Sequence, residues 1–235
     1  MLLTGKLKSL YNRTDKKFAN LDNSLIIEFA GPMCSGKSTC AKYFQQELYN
    51  RNIKPNELIF KKYVPPLYKL FDIKAAFIAL CLYTRIRPIV SIANLKRLFV
   101  LYKTLIQYNY VHYKKNKIFL KDQGIFQTLG TLSRYSKKGS KTIWTPWLIK
   151  NTNLPNLLVF IKTGYDENYR RREMRDGIPF SDNFFLESNK RLDMLIKGAS
   201  IISKMRGDFK YEIILNDALH ETHAKIDDII NRDII

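Results

Sequence analysis

The sequence predicts an α/β fold of three layers, with a parallel sheet of about five strands and helices on both faces. Two observations predict it. Five short apolar runs bounded by turn residues alternate with segments whose apolar residues recur every three or four positions. Strands separated by helices pair in parallel, because each crossover returns the chain to the same edge of the sheet. The first apolar run, LIIEFA at 25–30, also opens directly into a glycine-containing loop and then a helical pattern.

Residues 1–23 are polar and basic and read as an arm preceding a single domain, 24–235. After the strand at 25–30 and its loop, a helix is predicted over about 38–50, where Ala41, Phe44 and Leu48 share one face. The stretch 56–63 holds a second strand candidate, LIF at 58–60, stopped by Pro65 and Pro66. Residues 67–111 read as two helices broken near Arg87-Pro88. A third strand at 117–120 ends at Asp122-Gln123-Gly124, and the polar stretch 136–145, with Lys137, Lys138 and Lys141, reads as a loop. A fourth strand, LLVFI at 157–161, precedes an arginine-rich helix at about 166–175, closed by Asp176-Gly177. A helix over 183–205 stopping at Gly207, a fifth strand at 211–215 and a helix over 218–232 complete the series.

Composition narrows the function classes. With 235 residues, 46% of them hydrophobic, the chain is long enough to bury a substantial core and is not a disordered composition. A formal net charge of +19 attracts phosphates, nucleic acid or anionic lipid headgroups. Three cysteines without regular spacing, Cys34, Cys40 and Cys81, argue against a disulfide framework and for a reducing compartment. Cys34 and Cys40 are expected to be packing residues. His112, His220 and His223 do not combine with cysteine at zinc-site spacing. The basic N-terminus lacks the apolar core of a secretory signal, and the most apolar run, 75–83, is about half of what a bilayer requires. A cytoplasmic protein, soluble or peripheral to the membrane, is expected.

The loop carries the chemistry. GPMCSGKS at 31–38 fits GxxxxGK[ST] in full, with a strand before it and a helix after it. This is the P-loop of the P-loop NTPase fold. Its glycines let the backbone curl so that N–H groups face a phosphate, and the helix N-terminus adds partial positive charge at the same place. Gly31, Cys34, Ser35, Gly36, Lys37, Ser38 and Thr39 are therefore the candidate ATP-binding residues. Lys37 is placed to reach the β- and γ-phosphates, and the Ser38 hydroxyl to ligate Mg²⁺. No Asn-Lys-x-Asp guanine reader follows a strand, and the third strand ends in Asp122-Gln123 rather than Asp-Glu. Those absences argue against a GTPase and against a remodelling ATPase or helicase.

Four segments resemble the thymidylate kinase and deoxynucleoside kinase group of P-loop kinases: IIEFAGPMCSGKST, IFLKDQG, LLVFIKTGYDENYRRREMR, and the closing strand and helix. The layout is most similar to divergent bacterial thymidylate-kinase-like proteins associated with surface-polysaccharide functions. The resemblance implies an ATP-dependent phosphotransferase acting on a small nucleoside-like, nucleotide-like or sugar-type acceptor. It implies that Asp122 orients Mg²⁺ or accepts the acceptor's proton, so that Ser38 and Asp122 are the metal candidates. It also implies that Arg170, Arg171, Arg172 and Arg175 lie where the family has lid arginines. Of these, Arg171, Arg172 and Arg175 are the catalytic candidates beside Lys37 and Asp122, and a solvated basic helix face is the plainer alternative for the cluster. Asn216 and Asp217 match the family's adenine-side loop, and 66–111 and 165–206 match its helical acceptor and lid regions. Two departures stand out. Gln123 occupies the position of an acceptor-holding arginine, and the TREPG motif after the second strand is absent. Both argue against thymidine monophosphate as the acceptor.

The segment 66–111 interleaves apolar residues with Lys69, Lys74, Arg85, Arg87, Lys96, Arg97 and Lys103. A helical lid with a basic outer face, a peripheral surface for an anionic membrane and a nucleic-acid-binding face all fit this pattern. Two other function classes stay open beside the kinase. One is an NTP-binding regulatory or interaction protein whose acceptor site has decayed. The other is a nucleic-acid-associated ATPase.

Overall fold

The structure is a computed structural model, and it describes residues 24–57, 72–86, 90–112, 114, 117–133, 144–177 and 182–235. The expected basic arm at 1–23, the strand candidate at 58–60, the Arg87-Pro88 break and most of the loop at 136–145 lie outside the described residues.

Five strands form one parallel sheet. In chain order they are β1 (Leu25–Ala30), β2 (Asn56–Glu57), β3 (Ile118–Asp122), β4 (Leu157–Lys162) and β5 (Lys210–Leu215). Their order across the sheet is β2-β3-β1-β4-β5, and every neighbouring pair runs parallel. β1 sits at the centre. The chain builds outward to β3 and β2 on one side of it, then crosses to β4 and β5 on the other. In such sheets the crevice beyond the strands' carboxyl ends, where the direction of winding reverses, is where ligands bind.

The helices follow from the apolar spacing. In chain order they are α1 (Lys37–Asn50), α2 (Ile73–Ile86), α3 (Ile92–His112), α4 (Ile125–Ser133), α5 (Pro146–Asn151), α6 (Tyr165–Asp176), α7 (Asp182–Met205) and α8 (Leu219–Ile229). A π-helical turn, Ile230–Ile234, follows α8. The central strands are apolar on both faces, as expected of a parallel sheet covered twice. Ile27, Phe29, Val159 and Ile161 pack with Phe44 and Leu48 of α1 and Ile226 of α8. Ile26, Ala30, Phe119 and Phe160 pack on the opposite side, with residues of α2, α3, α4, α5 and α7. Among the described residues no helix is long and apolar enough to cross a membrane.

Two short helices, α4 and α5, are absent from the sequence expectation. The apolar residues of α4, Ile125, Phe126, Leu129 and Leu132, recur at helical spacing, but over nine residues only. α5 is a six-residue helix with Thr145 as its N-cap and Pro146 opening its first turn. At the other end of its length range, α6 stops as predicted, with Gly177 in the left-handed conformation at φ 63°.

One polar residue breaks the apolar run of β1. Glu28 is fully buried on the face shared with Ile26 and Ala30. Its carboxylate accepts hydrogen bonds from the Tyr108 hydroxyl of α3 at 2.7 Å and from the amides of Ile125 at 3.1 Å, Phe126 at 2.9 Å and Gln127 at 3.3 Å. It therefore caps the N-terminus of α4 from within the sheet, where a negative charge is favoured. Gly124 must be glycine, because a Cβ there would collide with Glu28 and the Tyr108 hydroxyl. Burial pushes the Glu28 carboxyl up from 4.5 to about 7, against the four donors that pull it down.

A carboxyl raised in this way holds its proton in the folded state at pH values where the unfolded chain has lost it. Between about pH 4.5 and 7 the folded state therefore binds more protons, and this group's contribution falls as pH rises. The loss across the window is on the order of 3 kcal/mol. Urea unfolding at a series of pH values should show this decline in the wild type and not in Glu28→Gln; coincident profiles would mean that the carboxyl is unperturbed.

Candidate functional site

The loop that follows β1 lies over the carboxyl ends of β1 and β4. Gly31 rests against the Ile161 carbonyl, where no Cβ fits, and its N–H donates to Gln127 Oε1 of α4 at 3.0 Å. Cys34 and Gly36 both adopt left-handed conformations, at φ 62° and 82°. Such residues rotate successive peptide planes, which is how a main chain brings several N–H groups to one side. Cys40 donates back to the Gly36 carbonyl at 2.9 Å. The amides from Gly36 to Thr39 make no backbone hydrogen bond among the described residues. They are the orphan donors of a helix N-terminus.

The loop is held from behind by its carbonyls. Asn168 of α6, itself buried, donates to the Met33 carbonyl at 3.0 Å. The Ser35 carbonyl accepts from Asn216 Nδ2 at 2.8 Å and from Arg171 Nη1 at 3.3 Å. Arg171 also donates to the Asn216 carbonyl at 2.8 Å and to Glu167 at 2.6 Å. Asn216 Oδ1 in turn accepts from the Thr222 hydroxyl at 3.1 Å. Asp217 accepts from the Gly164 amide at 2.7 Å, tying the start of α6 to the end of β5.

On the concave side lies an open cleft of about 540 Å³, lined by Cys34, Gly36, Lys37, Ser38, Thr39, Gln123, Gln127, Arg171 and Arg175, among others. Lys37 is only 7% exposed, and its ammonium folds back to donate to the Pro32 carbonyl at 2.6 Å. Burial lowers its pKa, and the nearby Asp122 carboxylate opposes that shift. At the mouth, the Ser38 hydroxyl donates to Asp122 Oδ2 at 2.6 Å. Gln123 follows in a left-handed conformation, φ 64°, which turns the chain sharply from the end of β3 into Gly124 and α4.

The predicted site residues do not all take the predicted positions. Cys34, Gly36, Lys37, Ser38 and Thr39 line the cleft, and Asp122 is joined to it through the Ser38 hydroxyl. Gly31 borders the smaller cavity beside the loop, and Ser35 is fully buried. Asn216 is buried beneath the loop, with its amide committed to Ser35 and Thr222 rather than presented to a base. Arg171 reaches the cleft wall but spends its donors on Glu167, Ser35 and Asn216, so it braces the loop. Arg175 lines the cleft and pairs with its neighbour Asp176 at 2.7 Å. Arg172 lies 3.7 Å from Asp176 and 5.1 Å over the Phe184 ring, and Arg170 pairs with Glu167, so neither lines the cleft. Cys40 is a buried packing residue, its thiol pushed up to about 11 by burial.

Three site residues escaped the sequence reading. Gln127 and Asn168 hold the loop, yet an amide within a helical pattern carries no signal of its own. Glu28 does carry one, since a carboxylate inside an apolar strand demands buried donors. A second, smaller cavity of about 140 Å³ adjoins the loop at Gly31–Met33 and is walled by Gln127, Thr131, Phe184, Ser188 and Arg191. No group of three or more His, Cys, Asp or Glu that could hold a metal ion exists among the described residues. A divalent ion at Ser38 and Asp122 would share its coordination with phosphate oxygens and water, which suits Mg²⁺. Neither the protein-family models nor the curated proteins searched match the chain.

Asn216→Ala should lower stability by about 1–3 kcal/mol, because the Thr222 hydroxyl and the Ser35 carbonyl each lose a buried partner. It should also speed amide exchange at Cys40, whose N–H is held by the Gly36 carbonyl, a local effect that urea unfolding paired with hydrogen exchange separates from a global one.

Proposed function

We propose that this chain is a P-loop kinase, an ATP-dependent phosphotransferase that moves the γ-phosphate to a small acceptor. The observation that carries the reading is the buried Lys37 ammonium beside a row of unpaired helix amides, with the Ser38–Asp122 pair at the mouth of the same cleft. An ammonium held this far from water gains more from a polyphosphate than an exposed one does. The amides from Gly36 to Thr39 add donors that need no reorganisation.

In this reading Lys37 exchanges the Pro32 carbonyl for phosphate oxygens. Ser38 and Asp122 would hold Mg²⁺, which would neutralise charge on the phosphates. Asp122 would also orient an acceptor hydroxyl. Arg175 is the arginine of the cluster best placed to act, by leaving Asp176 for the transferring phosphoryl group, while Arg171 positions the loop. The rate enhancement is positioning plus electrostatics, with no covalent enzyme intermediate. The smaller cavity beside Gly31–Met33, with Arg191, Ser188, Thr131 and Gln127 in its wall, is the acceptor side. Its lining is mostly apolar, with Met33, Phe184, Leu192 and Leu195 around these few polar groups, which suits an acceptor with an apolar body and an anionic or hydroxyl group. Gln123, standing where the resembled kinases carry an arginine, favours a second reading: a nucleotide-binding regulatory protein without an acceptor reaction.

Two experiments separate these. ATP·Mg²⁺ should raise the melting temperature of the wild type and leave Lys37→Ala unmoved; equal shifts in both would remove the cleft from nucleotide binding. Labelled ATP incubated with a panel of nucleosides, nucleotides, sugars and lipid precursors should give one labelled product. Asp122→Asn should keep the thermal shift and lose that product. A thermal shift with no product from any acceptor would favour the regulatory reading.

A further inference from the structure

We propose that the α2–α3 hairpin, flanked by Trp147 of α5, is a docking surface for an anionic phospholipid bilayer. One face of α2 is in the core, with Ala75, Ile78, Ala79 and Leu82 buried. The opposite face carries Ile73, Phe77 and Leu80, each more than half exposed. The C-terminal half of α3 is embedded through Leu101, Leu105 and Tyr108, while its N-terminal half projects outward. There Ile92, Leu95, Phe99 and Val100 recur at one-face spacing and are exposed by 76, 52, 53 and 50%. Phe77 meets Trp147 edge-on at 5.7 Å, which joins the α5 indole to the same patch.

Charge decides what covers this face. Between residues 72 and 112 the sequence holds six lysines and arginines and one carboxylate, Asp72. Asp72 is already engaged, by the Ala75 amide and by the Asn109 side chain. The adjoining α4 and α5 add Lys150 and no carboxylate. Lys96 and Lys103 stand in the apolar stripe of α3. The Lys103 ammonium lies 4.2 Å from the Phe99 ring centroid, so its stem runs along the apolar surface.

A second copy of the chain docked on this face through a two-fold axis would set these like charges against each other. A nucleic-acid backbone would satisfy the lysines and leave the exposed leucine, isoleucine, valine and phenylalanine side chains without a partner. A bilayer interface with anionic headgroups accepts both, apolar side chains at the acyl boundary and ammonium groups among the phosphates. Tryptophan beside such a patch suits that interface.

The test is flotation of the full chain with vesicles of phosphatidylcholine, with and without phosphatidylglycerol. Binding should require phosphatidylglycerol and weaken as salt is raised. The double variant Leu95→Glu/Phe99→Glu should lose at least about ten-fold in vesicle affinity. Its far-UV circular dichroism and melting temperature should stay as in the wild type, since both side chains are exposed. If that double variant floats like the wild type, the face is not the docking surface. A wild type that sediments as a dimer which the variant dissolves would assign the face to a second copy. Loss of duplex-RNA or duplex-DNA binding in the variant, without vesicle binding by the wild type, would assign it to nucleic acid. A positive flotation result stands whether or not the chain proves to be a kinase.

Discussion

A single carboxylate organises the centre of this protein. Glu28 lies in the middle strand of the sheet, beyond the reach of solvent, and its oxygens take one hydroxyl and three helix amides. A buried carboxylate is tolerated only where donors are already assembled around it. Here those donors come from α3 and from the first turn of α4, so one group binds three elements together. It also dictates Gly124 and helps to set the sharp turn through Gln123. That turn leaves Asp122 facing the Ser38 hydroxyl and sets Gln127 against the Gly31 amide.

The glycine-rich loop is the second consequence of the same economy of buried polar groups. The Met33 and Ser35 carbonyls are satisfied by Asn168, Arg171 and Asn216, and the Pro32 carbonyl by Lys37. The amides from Gly36 to Thr39 make no backbone hydrogen bond among the described residues. The result is a row of donors at a helix N-terminus, held in place, with a buried lysine beside it. Preorganisation of this kind matters more than the number of charges, because dipoles already in place cost nothing to reorient. The surplus of basic residues on α2 and α3 lies instead among apolar side chains at the surface.

Much of this was legible in the sequence. Four of the five strands fall where short apolar runs predicted them; the inner strands β3, β1 and β4 are covered on both faces and are therefore largely apolar on both. The arginine-rich helix ends at Gly177 as read, and the two helices of 67–111 appear at their expected spacing. α4 escaped because its helical period, Ile125, Phe126, Leu129 and Leu132, spans only nine residues. The sequence does not distinguish among the four arginines of this helix. The structure divides them: a helix carries consecutive side chains to different faces, so Arg171 reaches the loop, Arg175 the cleft, Arg170 solvent and Arg172 the Phe184 ring.

By itself the sequence determined the local conformations. A strand, a loop with two glycines and a helix with lysine and serine at its start are consequences of propensity, steric freedom and spacing along one short segment. Tertiary structure alone decided which distant side chains meet that segment. Glu28 and Gly124, Asn216 and Ser35, and Asp122 and Ser38 are separated by between 84 and 181 positions or are joined only by the packing of strand ends. The parallel sheet brings them together because it places the carboxyl ends of β1, β3, β4 and β5 along one edge. No periodicity within a single element encodes that convergence.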